Sequence, residues 1–373
     1  MKKKLHKAFL WAQVIVFSFI LFSCQKGSES LSAANGITGK SIDPKELKDF
    51  TQINLVANNN NYSPAPLHID PSLVNGWGIA FPNVGPAWVS SEGNGMSTIY
   101  NLDGVTVANP VNIPCPGNGV GKPTGHIANN TSDFKLPNNN PAQFVFATAD
   151  GTVSGWNSGP SAIKMIDHSS SASYMGIAMA PDGGNFFLYV ANFAQGSIDV
   201  YDKNWNLVNK PFIDPGLPSG YAPFNIQYLK DGQLFVAYAK KNAAGKLDKG
   251  QGNGCIDIFG TDGSFVKRFA SKGNLNAPWG ITIAPAGFWG EWSQITNMVL
   301  VGNYGDGQIS VFDQDGNYAG PLYTHGKAIS VDGLWGLTFP PMNSYNHYYL
   351  YFAAGPNNGS GGVVGYIRSS SFN

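Results

Sequence analysis

Trp77-Gly78-Ile79-Ala80 is a phrase that this chain states six times. It returns as Thr124-Gly125-His126-Ile127, Met175-Gly176-Ile177-Ala178, Phe224-Asn225-Ile226-Gln227, Trp279-Gly280-Ile281-Thr282 and Trp335-Gly336-Leu337-Thr338, at steps of 47 to 56 residues. Each copy leads into a short β-rich run, such as Trp88-Val89-Ser90, Phe144-Val145-Phe146 or Leu188-Tyr189-Val190, and then, past a glycine-containing turn, into a third run such as Ser197-Ile198-Asp199-Val200-Tyr201. These runs alternate and are β-branched or aromatic, which is what a pleated, half-buried surface selects. Asp-Gly pairs at Asp103-Gly104, Asp150-Gly151, Asp231-Gly232, Asp262-Gly263 and Asp315-Gly316 punctuate them, supplying the positive φ of tight hairpins.

A fixed period of this size with four strands per unit and no helix between units predicts radial repetition. The fold class expected is all-β, a six-bladed β-propeller spanning residues 50–373. The small residue of each opening phrase has a steric role, because six inner strands converge on one axis. The sixth repeat ends after its third strand, near Ile367, while residues 50–56 (Phe-Thr-Gln-Ile-Asn-Leu-Val) form an alternating strand that belongs to no repeat. That strand is expected to complete the last blade and so remove two open sheet edges.

Outside the repeats, the chain starts with Lys2, Lys3, Lys4 and Lys7, followed by an apolar run over residues 8–22 that is too short to span a bilayer comfortably. This reads as a signal peptide over residues 1–23. It ends in Leu21-Phe22-Ser23-Cys24, a lipobox-like sequence whose cysteine would carry the lipid and become the mature N-terminus. A chance cysteine behind an ordinary secretory peptide is the other reading. Residues 24–49 are polar and rich in glycine and serine, so a flexible tether is expected there. The expected partner is then a membrane reached through the lipid anchor, and the expected location is the cell envelope, as an outer-membrane-anchored lipoprotein.

The 23 basic and 23 acidic side chains cancel, and Arg268 and Arg368 are the two arginines. No basic stripe exists for a phosphate backbone, so nucleic acid is not an expected partner. Cys115 and Cys255 fall about three blades apart in the repeat, which predicts two unpaired thiols rather than a disulfide.

The phrases Asp70-Pro71-Ser72-Leu73-Val74-Asn75-Gly76-Trp77, Phe146-Ala147-Thr148-Ala149-Asp150-Gly151-Thr152, Ala277-Pro278-Trp279-Gly280 and Val301-Gly302-Asn303-Tyr304-Gly305-Asp306-Gly307 carry a resemblance. The chain resembles an uncharacterised family of secreted bacterial six-bladed propellers, distantly similar to NHL-repeat and gluconolactonase-type propellers. The resemblance implies the fold and export but no reaction. The sequence departs from the family wording at Ala149, where an acid is expected, and at His126, where an aliphatic residue is expected.

Candidate chemistry gathers at the channel mouth. The residue just after each second strand gives an aligned set of Ser91, Thr148, Asn192, Tyr238, Asn303 and Ala354, with Glu92, Asp150 and Asp306 beside it. Glu92, Asn192, Asn303 and Asp306 supply the oxygens that Ca²⁺ takes. Similarity to gluconolactonase-like propellers implies a channel metal of that kind, polarising an ester carbonyl; turn formation is the competing role of the same residues. Trp77, Phe224, Trp279 and Trp335 share one repeat slot, and are expected either to pack between blades or to form an aromatic collar facing a small molecule, a glycan or a protein ligand. His126 stands in an aliphatic slot, where a packed, hydrogen-bonded imidazole is expected; as a general base it would have to point into the channel. No zinc spacing, nucleophile elbow, phosphate loop or dinucleotide fingerprint is present. The leading expectation is a binding or scaffold module, and the alternative is a metal-dependent, lactonase-like hydrolase.

Overall fold

The computed structural model describes residues 44–372 other than 231, 291, 292 and 294. The signal peptide, Cys24 and most of the tether lie outside the described residues.

The six repeats form six sheets in which each strand pairs antiparallel with the next in sequence. Blade 1 runs from Gly76–Ala80 through Ala87–Ser91 and Met96–Tyr100 to Val111–Asn112. Blades 2 to 5 repeat the pattern from inner strands Pro123–Ala128, Tyr174–Asp182, Tyr221–Lys230 and Pro278–Ile283. Gly104, Gly151, Gly232, Gly263 and Gly316, the glycines of the Asp-Gly pairs, all take positive φ at the turns. Helical structure among the described residues is confined to short 3₁₀ turns.

Blade 6 contributes Leu334–Thr338, Leu350–Ala354 and Val363–Ser369, and its fourth strand comes from the other end of the chain. Phe50–Ala57 pairs antiparallel with Val363–Ser369, in a register that sets Gln52 opposite Ile367 and Ala57 opposite Val363. The strand closes the ring as expected. Residues 44–49, expected to belong to the tether, are instead packed on the propeller. Pro44–Leu47 forms a 3₁₀ turn, and Leu47, only 1% exposed, packs with Phe50, Phe288 and Leu322 in the core of blades 5 and 6. An apolar side chain this close to the first strand is drawn into the groove between blades, so Leu47 belongs to the packed domain.

Convergence at the axis explains the small residue of the repeated phrase. A Cβ added at Gly78 would lie 2.7 Å from the carbonyl oxygen of Thr124, at Gly280 2.6 Å from that of Trp335, and at Gly336 2.6 Å from that of Trp77. Each contact is with the next blade, and the last returns to the first. Asn225 alone among the six slots carries a polar side chain, and its Nδ2 donates to the Trp279 carbonyl at 2.7 Å, turning an interblade contact into a hydrogen bond. Every inner strand also shifts register at or next to this slot. Such bulges re-aim the preceding side chain.

Candidate functional site

The residue preceding the glycine slot points to the axis. Trp77, Phe224, Trp279 and Trp335 therefore meet in one cluster with Phe193, Met175 and Tyr304. Trp335 stacks on Trp77 at 3.4 Å between centroids and on Tyr304 at 3.8 Å, while Trp279 meets both Trp77 and Trp335 edge-on at 6.1 Å. Trp279 Nε1 donates to the Met175 carbonyl, and Trp335 Nε1 to Asn75 Oδ1. Trp77 Nε1 is buried without a partner among the described residues. The four rings are brought together, but their faces are turned on one another rather than onto open space. They are 1 to 7% exposed, and they fill the axis at this end of the channel.

Around this plug lies a second ring, of which sequence reasoning singled out Glu92 but passed over Phe193 and Tyr304. One residue beyond the aligned set of Ser91, Thr148, Asn192, Tyr238, Asn303 and Ala354 stand Glu92, Ala149, Phe193, Ala239, Tyr304 and Gly355. Phe193 and Tyr304 extend the aromatic cluster upward, whereas the small residues leave room beside them. Over the Tyr304 ring sits Lys249 Nζ, 4.8 Å from the centroid, and Lys241 Nζ lies 5.8 Å from that of Phe193. Both lysines come from the long hairpin between Gln233–Lys240 and Gly254–Gly260, whose Leu247 packs onto the aromatic cluster. A recess of about 120 Å³ remains, lined by Lys249, Tyr304, Asp306, Ser330, Asp332 and Asn358. Burial, with Asp332 and Glu92 nearby, pushes the Tyr304 hydroxyl above its usual range. The signal that could have found this ring was the repeat phase itself, read one residue further along.

The oxygens proposed for a cation are engaged within their own blades. Asn192 Oδ1 accepts from the backbone N–H groups of Ser173 and Gln195, and its Nδ2 donates to Asp199. Asn303 Oδ1 accepts from the Asn276 backbone, and its Nδ2 donates to the Asn274 carbonyl and to Ser310. Ser91 Oγ does the same work in blade 1, accepting from the Val74 N–H. This is one device used three times, in which the end of the second strand fastens the loop that enters the inner strand. Glu92 accepts from Asn75, and Asp306 from Asn276 and the Gln308 backbone. Among the described residues no three His, Cys, Asp or Glu side chains gather as a metal site.

Beyond the plug, the channel opens into a cavity of about 230 Å³, lined by Gly78, Gly125, Gly280, Gly336, His126, Asn225, Gln227 and Thr338. His126 is 6% exposed, stacked on Phe146 at 5.1 Å, with Nδ1 2.9 Å from Ser90 Oγ and Nε2 unpartnered. Burial lowers its pKa to about 3, so the ring is neutral at physiological pH. It is a packed imidazole, hydrogen-bonded on one side. Among the described residues Cys115 and Cys255 are unpaired.

Fold and site together define a six-bladed β-propeller of the velcro-closed type with an aromatic plug at one channel mouth. Over 344 residues the chain is 33% identical to the uncharacterised protein R648 of Acanthamoeba polyphaga mimivirus, covering 87% of this chain and 82% of that one. It is likewise 33% identical over 346 residues to the uncharacterised protein L690 of the same virus, covering 86% and 87%. The chain belongs to the family that these proteins represent. These relatives are viral, where the sequence phrases pointed to a bacterial family. No family model matches the chain. Among solved structures, a protein of unknown function from Bacteroides thetaiotaomicron shares the fold at a TM-score of 0.52 and 10% identity, covering 86% of this chain and 76% of that one. A gluconolactonase of Xanthomonas campestris (TM-score 0.49, 14% identity, 80% and 86% covered) and a virginiamycin B lyase of Staphylococcus aureus (0.49, 13%, 86% and 98%) are also similar.

Proposed function

We propose that this protein is a lipid-anchored propeller of the cell envelope that acts as a binding or scaffold module, its ligand resting on the plugged mouth beside Tyr304 and Lys249. The observation that supports binding over hydrolysis is occupancy. The axial space that a metal-held ester would need is filled by Trp77, Trp335 and Tyr304 stacked in series, and the Asn192 and Asn303 amides are spent on their own blades. What remains is a shallow surface combining an aromatic edge, an ammonium and carboxylates, suited to recognition of a ligand with both apolar and polar faces. The anchor in this reading rests on Lys2 to Lys4, the apolar run and Cys24.

The deciding experiment is metal analysis of the purified protein followed by a lactone-hydrolysis assay with and without added Ca²⁺. No stoichiometric metal and no turnover are expected. Bound metal together with hydrolysis lost in Glu92→Gln would establish the hydrolase instead. Membrane fractionation of Cys24→Ala tests the anchor separately: the variant is expected in the soluble fraction, and unchanged membrane association would remove the lipid from the proposal.

A further inference from the structure

A larger concavity lies away from the axis, between blades 1 and 2. It is a cleft of about 750 Å³, within the ~300–1,000 Å³ range of small-molecule sites. Its floor is an aromatic trio: Trp88 stacks on Phe144 at 4.0 Å and 21°, and Trp156 leans against Trp88 at 4.8 Å. Trp156 is held in place by an Nε1 hydrogen bond to the Gly159 carbonyl and stays half-buried, leaving part of its ring accessible. Val84, 80% exposed, and Val107, 50% exposed, stand at the rim.

The lining chemistry differs from that of the mouth. None of the fifteen residues that line the cleft carries a charge, and the polar side chains among them are all primary amides. Asn129 is spent on the Asp133 and Ala142 carbonyls, and Asn130 donates to Asn83. Asn109 and Gln143 are exposed, and their amides have no hydrogen-bond partner among the described residues. A free primary amide offers two donors and one acceptor oxygen in a plane, which matches a pair of neighbouring hydroxyls. An aromatic face takes the C–H side of a saturated ring. A site with both features and no charge selects against phosphates, carboxylates and ammonium groups, because none of these would find a counter-charge when desolvated.

We propose that the cleft between blades 1 and 2 binds a neutral saccharide, its ring laid against Trp156 and its hydroxyls bonded by Gln143 and Asn109. The site is independent of the channel mouth, and it supplies a ligand class for one face of a binding module.

Calorimetric titration of the full-length protein with neutral hexasaccharides of glucose, mannose, xylose and N-acetylglucosamine tests it. At least one is expected to saturate, with affinity reduced tenfold or more in Trp156→Ala and severalfold in Gln143→Ala. The second substitution is on an exposed side chain and spares the fold, so it remains readable if the first does not. Lys249→Ala at the mouth is expected to leave this binding unchanged; if Lys249→Ala abolishes it while Gln143→Ala does not, the saccharide sits at the mouth and the cleft proposal falls alone. Absence of saturation by every sugar up to ~10 mM, or binding indifferent to both cleft substitutions, overturns it. So does preferential capture of a proline-rich peptide or an acyl chain in the same cleft.

Discussion

Trp335 and Trp77, from the last blade and the first, lie face to face with centroids 3.4 Å apart and planes 16° from parallel. The contact therefore spans the interface between the last blade and the first, next to the point where Gly336 packs on the Trp77 carbonyl. Aromatic pairs contribute beyond their area when offset or stacked, and here the stack continues to Tyr304. Trp335→Ala would empty a site bordered by Trp77, Trp279, Phe224 and Tyr304 on several sides. Loss of a buried aromatic of this size costs about 3–5 kcal/mol. Urea unfolding should register a drop of that order, and a loss under ~1 kcal/mol would mean that the plug collapses to fill the gap.

Closure by Phe50–Ala57 makes the effect of truncation stepwise. Removing residues 1–43 should leave the melting temperature unchanged. Removing residues 1–49 also strips Leu47 from the core of blades 5 and 6 and should lower it. Deletion through Ala57 takes away Phe50, Leu55 and Val56, all buried, together with the ladder to Val363–Ser369, and should abolish cooperative unfolding. Equal melting of all three proteins would show that the strand is dispensable.

The contrast between what could be read ahead and what could not is physical. Blade number, phase and closure follow from short-range pattern, because each repeat must place a glycine or its equivalent where backbones touch, and Gly78, Gly280 and Gly336 record that demand directly. The slot of Trp77 was equally legible. Whether its rings faced a ligand or one another was not, since that depends on the axial distance between blades, which no local sequence encodes. Asn192 and Asn303 illustrate the same limit: their type fits a cation as well as a backbone N–H, and only the loop geometry, with Ser173 and Asn276 within reach, decides. The cleft beside Trp156 is lined by strands and loops of two different blades, so its convergence leaves no motif.

His126 gives an acid-side prediction. The other five members of its slot are Ile79, Ile177, Ile226, Ile281 and Leu337, and burial holds the ring neutral down to about pH 3. A histidine whose folded pKa is depressed binds fewer protons than in the unfolded chain, so its contribution to stability is present above about pH 6.5 and is lost as pH falls toward 3. His126→Ile should remove this loss, leaving Ser90 Oγ as the polar group to be accommodated. Identical pH profiles for the variant and the wild type would mean that the unfolded state does not take up the proton.

Asp257 acts in the opposite direction in the same window. It is fully buried on the third strand of blade 4, one carboxylate oxygen paired with Arg268 Nε and the other unpartnered, while Arg268 also reaches Asp214. Burial outweighs the guanidinium and pushes the Asp257 pKa up to about 7. The folded protein therefore retains a proton that the unfolded chain has released above about pH 4, so the contribution of this group is greatest below pH 4 and fades as pH rises through 7. One proton corresponds to a slope of up to roughly 1.4 kcal/mol per pH unit, rising with pH for His126 and falling for Asp257. Between about pH 4 and 6.5 the two slopes oppose each other, and the wild type should change least. Asp257→Asn should then melt at progressively higher temperature as pH increases across this interval, and His126→Ile at progressively lower temperature. Each variant is compared with wild type at the same pH, so the remaining carboxylates drop out of the difference. If Asp257→Asn shows the wild-type slope, Arg268 keeps the carboxylate ionised throughout, and burial does not govern this site.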